Sequence, residues 1–389
     1  MRRTIHSSIS DSEVNMKYSK FTSVVFCLLI GGLSLASMLN PTKAESETEN
    51  RSLAQFPTFS VKSLLNGDFT SGYENFITDQ FICRDSWIAA KTQAEKLLGR
   101  REINDVFLAK DGYFIDGTIP DQEQAEKNLD FLTTFADDVN ENYNLRIMIV
   151  PTASLILSDK LPYCAPVWDQ SAYLDRISAL PGALDIRKEL SIFSDDYIYY
   201  RTDHHWTADG MYIGYLSLCE SLGIAPLEPD EIERTTLSDD FLGTIIAKVG
   251  IKTTPDTITD LTSKSQPTLH VDFNLGSSES DSLYVTEKLQ SRDKYGVYLG
   301  GNPAIADITT SVKNGRVLVM AKDSYAHCML PLLVNHYERM IIIDLRSFNS
   351  GFESYLDQLK SDGVAVTDVV VLYSSSGFAN ERSIVWLKK

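Results

Sequence analysis

Two short stretches hold residues that can do chemistry together. One is Arg201-Thr202-Asp203-His204-His205-Trp206-Thr207; the other is Lys322-Asp323-Ser324-Tyr325-Ala326. The chain has only six histidines in 389 residues, and two of them stand side by side behind an aspartate. In Asp203-x-His205 the carboxylate can accept the Nδ1 proton of an imidazole two residues on, fixing its tautomer and stabilising the imidazolium. Ser324 follows the apolar run Val317-Leu318-Val319-Met320 and starts a predicted helix. Its hydroxyl is expected to project from a tight turn, with helix N-terminal N–H groups available to an oxyanion. Such a serine is inert at neutral pH without a base in hydrogen-bond reach, and His205 is the candidate base. The same residues also read as an ordinary cap at Asp323 or Ser324 and a polar turn of packed imidazoles at 203–205. A metal hydrolase using Asp203, His204 and His205, with His327 or His336, is a further reading. It is disfavoured because successive side chains diverge along an extended chain.

These residues need a scaffold, and the flanking pattern supplies one. Strands are predicted at 145–150, 197–200, 316–320, 340–345 and 368–372, each apolar and rich in β-branched or aromatic residues. Helices are predicted at 87–98, 122–143, 208–222 (capped by Thr207 or Asp209), 324–336 and 353–359. Lys110-Asp111-Gly112 between Val106–Leu108 and Tyr113–Ile115 predicts a hairpin. Strand–helix alternation points to an α/β fold with a parallel sheet covered on both faces. The turns at 203–206 and 322–325 then lie at carboxyl ends of strands, where open α/β sheets place their chemistry. Residues 230–285 are polar and rich in Thr, Ser and Asp, and are expected to form an irregular excursion.

The remaining sequence bears on location and partners. Residues 21–39 carry no charge and follow Lys17 and Lys20, which predicts a signal peptide or membrane anchor after a short n-region at 1–20. A polar linker at 40–55 and one α/β domain at 56–389 complete the expected organisation, with everything after residue 45 extracytoplasmic. The net charge of −17 argues against nucleic acid, whose affinity needs cationic neutralisation of phosphates. The five cysteines have wide, irregular spacings; one disulfide among Cys83, Cys164, Cys219 and Cys328 is compatible with them, and no metal framework is.

The 201–207 stretch, with Gly210 and Tyr212 after it, resembles the signature of the DHHW family of bacterial exported proteins. That family is related to the SGNH-hydrolase-like alginate O-acetyltransferases. Weaker blocks resemble it too: Asp105-Val106-Phe107 with Asp111-Gly112-Tyr113-Phe114, Val150-Pro151-Thr152, Lys294-Tyr295 with Gly300-Gly301-Asn302, the serine block with Pro331 and His336-Tyr337, and Asp344-Leu345-Arg346. The resemblance implies an SGNH-hydrolase-like α/β fold with a central, mainly parallel sheet and its catalytic blocks in permuted order, Asp-x-His before Ser. Ser324 would be the nucleophile, His205 the base and Asp203 its orienter. Lys322 stands where acetyltransferases and esterases usually have glycine, so a side chain there is expected to crowd the oxyanion approach.

Secondary candidates carry two readings each. Asn302 is an amide donor to the oxyanion or a turn residue. Arg346 is a clamp for a uronate or phosphate, or half of a structural salt bridge. Trp206 and Tyr325 are the aromatics expected to stack on sugar rings, whereas Tyr200 and Tyr212 are expected in the core. His204 is a substrate-side candidate, and His327 is expected to pack. The resemblance implies a serine-dependent O-acetyltransferase or acetylesterase acting on a cell-envelope or exopolysaccharide glycan. It needs no cofactor or metal, and a membrane-bound O-acyltransferase would donate the acyl group. The competing reading outside enzymology is a non-catalytic glycan-binding envelope module.

Overall fold

The computed structural model describes residues 4–46 and 51–388. The chain divides into two compact units, residues 1–93 and 94–389. The first contains a long helix, α1 (Thr4–Leu39), whose Tyr18–Leu39 portion is long and apolar enough to cross a membrane. The expected linker holds a pair of two-residue antiparallel strands, Glu45–Ser46 and Arg51–Ser52. The α/β unit begins later than residue 56, because the residues that follow the linker pack among themselves. Phe56 meets the rings of Phe69, Tyr73 and Phe76 edge to face.

The second unit is built on a seven-stranded sheet. In chain order its strands are β1 (Asn144–Val150), β2 (Leu269–Phe273), β3 (Ser278–Ser280), β4 (Ile305–Thr310), β5 (Val317–Lys322), β6 (Arg339–Ile343) and β7 (Asp368–Ser374). Across the sheet they run β3-β2-β4-β6-β5-β7-β1. The four strands β6, β5, β7 and β1 pair in parallel, and β4, β2 and β3 extend them antiparallel. The sheet is therefore mixed, because residues 269–280, expected within an irregular excursion, add two antiparallel strands. The rest of that excursion is ordered as well. Ile232–Phe241 pairs antiparallel with Asp256–Ser263, and the helix Thr244–Val249 lies between them in sequence.

Both faces of the central strands are buried, which explains their continuous apolar runs. Val369, Val371, Val319, Ile341 and Ile343 join one core with helices α2 (Gln122–Val139), α3 (Gln170–Ser178) and α5 (Phe352–Ser361). Val370, Leu372, Leu318, Met320 and Ile342 join the other with α4 (Ala208–Leu222). At roughly 25 cal/mol per Å² of apolar area, burial on two faces fixes the strand register, since a one-residue slip would exchange the two sets. A short helix, α6 (Ser375–Asn380), continues directly from β7.

Three local expectations differ. Residues 197–200 are not a strand: only Tyr199 bridges Trp206, and the segment folds back through Tyr200 N to His205 O and Thr207 N to Ile198 O. The helix after Ser324 is split into a 3-10 turn, Ser324–Met329, and a short α-turn, Leu330–Leu333, with Pro331 in its first turn. Helix α2 stops at Val139, four residues early. All five cysteines are free.

Candidate active site

Strand β5 delivers Asp323 and Ser324 to the carboxyl edge of the sheet. One oxygen of Asp323 accepts from Tyr325 N at 2.9 Å; the other accepts from Ser374 N at 2.8 Å and Ser374 Oγ at 2.9 Å. The carboxylate thus caps the 3-10 turn and ties the end of β5 to the end of β7. Burial pushes the Asp323 carboxyl up despite these donors. Gln170 makes the next tie, accepting from Thr152 N at 2.8 Å and Ser375 Oγ at 2.7 Å, so the ends of β1 and β7 are held together.

The 201–206 turn is fastened from below. Asp256 accepts from Arg201 N (3.1 Å), Thr202 N (2.8 Å) and Thr202 Oγ1 (2.6 Å), and also from the Tyr197 hydroxyl. On this base Asp203 Oδ1 accepts from His205 N at 3.1 Å and lies 2.5 Å from His205 Nδ1. Asp203 Oδ2 accepts from Thr244 N at 2.8 Å and Thr244 Oγ1 at 3.1 Å. Burial raises the Asp203 pKa, but the His204 and His205 imidazoles and these hydrogen bonds outweigh it, and the carboxyl is held well below the usual range. An ionised Asp203 can only accept, so the proton sits on Nδ1 and Nε2 keeps its lone pair. Nε2 is 2.6 Å from Ser324 Oγ, across 119 residues of sequence.

Two reciprocal bonds hold the two blocks in register. Trp206 Nε1 donates to Tyr325 O at 3.0 Å, and the Tyr325 hydroxyl donates to His204 O. Both aromatic side chains are fully buried. They are therefore not sugar platforms, as expected from the sequence, but clamps. The aromatics on the cleft wall are Trp168 and Tyr373, in a cleft of about 430 Å³ that Ser324, His204, Thr152 and Arg346 also line.

Lys322 does not crowd the site. Its side chain is wholly buried, with Nζ 2.8 Å from His327 Nε2 and donating to Asp344 Oδ2 at 3.2 Å and Asn302 Oδ1 at 3.4 Å. Burial lowers the Lys322 pKa against the pull of Asp344, and burial together with the Lys322 charge holds His327 neutral. Asn302 accepts from Lys322 through Oδ1 and does not line the cleft. Arg346 does line it, with Nε and Nη2 fixed on Asp344 at 2.8 and 2.5 Å. It is both the salt bridge and a cation facing the cleft. His204 bonds to Thr244 Oγ1 through Nδ1 at 2.9 Å, and its pKa falls to about 4 through enclosure and the neighbouring imidazole.

The donor atoms of Asp203, His204 and His205 lie within 4.8 Å of one another, and the two rings are 4.0 Å apart. Adjacent side chains converge here because the segment is a turn and not a strand. Yet Asp203 is already filled by four donors and both His205 nitrogens are engaged, so the set fits a proton relay better than a cation. Sequence reasoning missed Asp256, Gly243 and Thr244. A Cβ on Gly243 would sit 2.2 Å from the Asp203 Cβ, so only glycine lets the 243–244 backbone reach the carboxylate. The signal was a Gly-Thr pair after an apolar Phe241-Leu242, hidden in a stretch read as irregular.

The sequence profile of DHHW proteins matches residues 49–144 and 174–343, which include Asp203, His205 and Ser324. The chain belongs to the DHHW family. Among solved structures, this DHHW protein is similar to one from Eubacterium siraeum DSM 15702, with 23% identity and a TM-score of 0.61 over 73% of this chain and 95% of that one. It is also similar to Bacillus cereus PatB1 with a sulfonyl adduct, at 18% identity and a TM-score of 0.60 over 74% and 100%. The O-acetyltransferase domain of Pseudomonas putida AlgJ aligns at 14% identity and a TM-score of 0.46, over 73% and 98%. No curated protein matches significantly. This DHHW protein shares the α/β fold of the Eubacterium and Bacillus proteins, with its large mixed sheet between helices.

Proposed function

We propose that this DHHW protein is a serine-dependent O-acetyltransferase or acetylesterase acting outside the cytoplasm on a cell-envelope or exopolysaccharide glycan. The observation that carries the reading is the line Ser324 Oγ, His205 Nε2, His205 Nδ1, Asp203 Oδ1, at 2.6 and 2.5 Å, opening on a cleft. Ser324 Oγ attacks the acetyl carbonyl while its proton passes to Nε2, and the carbonyl electron pair moves onto oxygen. The Ser324 backbone N–H opens the 3-10 turn, has no intrahelical acceptor and is the donor this reading assigns to that oxyanion. Collapse expels the donor alcohol, which takes the proton from the imidazolium and leaves an acetyl-serine. A glycan hydroxyl, or water, then attacks with His205 again as base. A membrane-bound O-acyltransferase is the donor this reading calls for, and the apolar Tyr18–Leu39 helix is the export signal or anchor.

The test uses the full chain in detergent with a chromogenic acetyl ester, beside Ser324→Ala and His205→Ala. Serine-dependent turnover and an acetyl adduct on Ser324 by intact mass are expected. A folded protein giving neither would overturn the enzyme reading in favour of a glycan-binding module.

A further inference from the structure

Tyr295 has no part in the relay described above, yet it touches its centre. It lies in the 3-10 turn Lys294–Val297 and is 5% exposed. Its ring stacks on the His205 imidazole, with centroids 3.9 Å apart and planes inclined by 18°. Tyr295 is itself packed against the rings of Tyr200, Phe241, Tyr298 and His327. Its hydroxyl has no conventional hydrogen-bond partner, only the weakly polar Cys328 thiol beside it. A buried tyrosine that leaves its hydroxyl unpaired is using its ring.

The base needs such a face. Hydrogen bonds to Asp203 and Ser324 lie in the imidazole plane at its two nitrogens, and they leave the ring free to tilt about the line joining them. A second ring packed on its face blocks that tilt. When Nε2 takes the serine proton the imidazole becomes a cation, and an aromatic face stabilises a desolvated cation. His204 and Tyr325, the other rings near His205, are inclined to it by 35° and 41° and do not stack on its face, and a charge on His204 would repel the imidazolium.

We propose that Tyr295 is a positioning residue for the base: its ring face holds His205 in the plane that joins Asp203 to Ser324 and stabilises the imidazolium formed during acyl transfer. The proposal rests on the acyl-serine reading above. The groups facing His205 are Asp203 and His204 from its own turn, Ser324, Tyr325 and His327 from the 3-10 turn with Lys322 behind His327, and Tyr295.

The test compares Tyr295→Phe, Tyr295→Leu and Tyr295→Met in the full chain. Turnover of the acetyl ester gives kcat and KM, and NMR of histidine-labelled protein gives the His205 titration midpoint. The Leu and Met variants are expected to lose about tenfold in kcat with KM nearly unchanged, and to lower the midpoint by about one pH unit. The Phe variant is expected to match wild type in both. Should Leu disrupt folding, Met carries the comparison. Wild-type kcat and midpoint in the Leu or Met variant would overturn the proposal, as would a loss in Phe equal to that in Leu. If wild type shows no Ser324-dependent turnover, the function reading fails separately. The titration needs no turnover and still decides whether the ring stabilises the imidazolium.

Discussion

Asparagine at position 203 keeps the shape of the carboxylate and replaces one acceptor by a donor. All four partners of Asp203 donate to it: His205 N and Nδ1 on one oxygen, Thr244 N and Oγ1 on the other. The new NH2 group must therefore oppose a donor on either side. Turned toward Thr244, it leaves a buried backbone N–H unpaired, at a cost of about 1–3 kcal/mol, and a neutral amide faces the imidazolium. Turned toward His205, it donates to Nδ1, forces the proton onto Nε2, and leaves the base unable to accept from Ser324. Both outcomes raise the barrier. Loss of the correct tautomer in a serine triad is worth about 10³- to 10⁴-fold, or about 4–5 kcal/mol in activation free energy. Turnover of an acetyl ester at pH 7.5 is expected to show kcat for Asp203→Asn reduced at least a thousandfold, with KM within a few-fold. Stability should fall with it, and in a pH-dependent way. The Asp203 carboxyl is held below its ordinary value in the folded chain, so its stabilisation is full above the ordinary carboxylate range and is lost as pH falls below that range toward the lower folded value. The stability gap between wild type and variant should accordingly narrow on acidification. A folded variant with kcat within tenfold of wild type would refute the assignment of Asp203 as orienter of the base.

Other perturbations test the surroundings of the relay. Gly243→Ala places a methyl 2.2 Å from the Asp203 Cβ and 2.4 Å from Oδ2; calorimetry should show a loss of about 3 kcal/mol, and ester turnover should fall with it. Trp206→Phe removes the donor to Tyr325 O and should cost about 1–2 kcal/mol together with a drop in kcat, because the clamp between the two blocks loosens. Asp260 is buried against the Tyr284 and Tyr298 hydroxyls, and burial holds its pKa at about 6, above the ordinary 3.8. The folded chain then binds that proton more tightly than the unfolded chain, so the carboxyl penalises stability above pH 6 and the penalty lifts as pH falls. Asp260→Asn should raise the melting free energy by about 2 kcal/mol at pH 7.5 and leave it nearly unchanged at pH 4, by thermal unfolding at the two values.

The sequence was legible where residue type and address coincide. Asp203, His205 and Ser324 could be named because each is rare or chemically marked and stands near a strand or helix end. Their meeting could not be read, since it depends on the clamp between Trp206 and Tyr325 across 119 residues. Those two aromatics were misassigned because a sugar platform and a buried clamp have the same sequence signature. The four central strands were visible as apolar runs buried on both faces. The pairing of 232–241 with 256–263 was not, because Ile232 and Phe241 on one strand and Ile258 and Leu261 on the other are the buried apolar side chains and the other residues of both strands are mostly polar. Tyr197–Tyr200 looked like a strand because its side chains are apolar, but they fill the core from a turn. Lys322 reads as an obstruction in sequence and is a strut in space.

An open sheet has two edges, and each offers unpaired backbone to another chain. Here one edge, β3, is three residues long and carries Glu279 between serines. The other, β1, is met along its middle by residues 182–184, with Ile147 N donating to Gly182 O and Leu184 N to Ile147 O, both at 2.8 Å. Gly182 sits at φ +73°, and a Cβ there would meet Leu145 O at 2.6 Å. That short cover is what stands between the apolar central strands and templated association. Crowded copies of this protein are kept from pairing edge to edge by one polar tripeptide and one glycine.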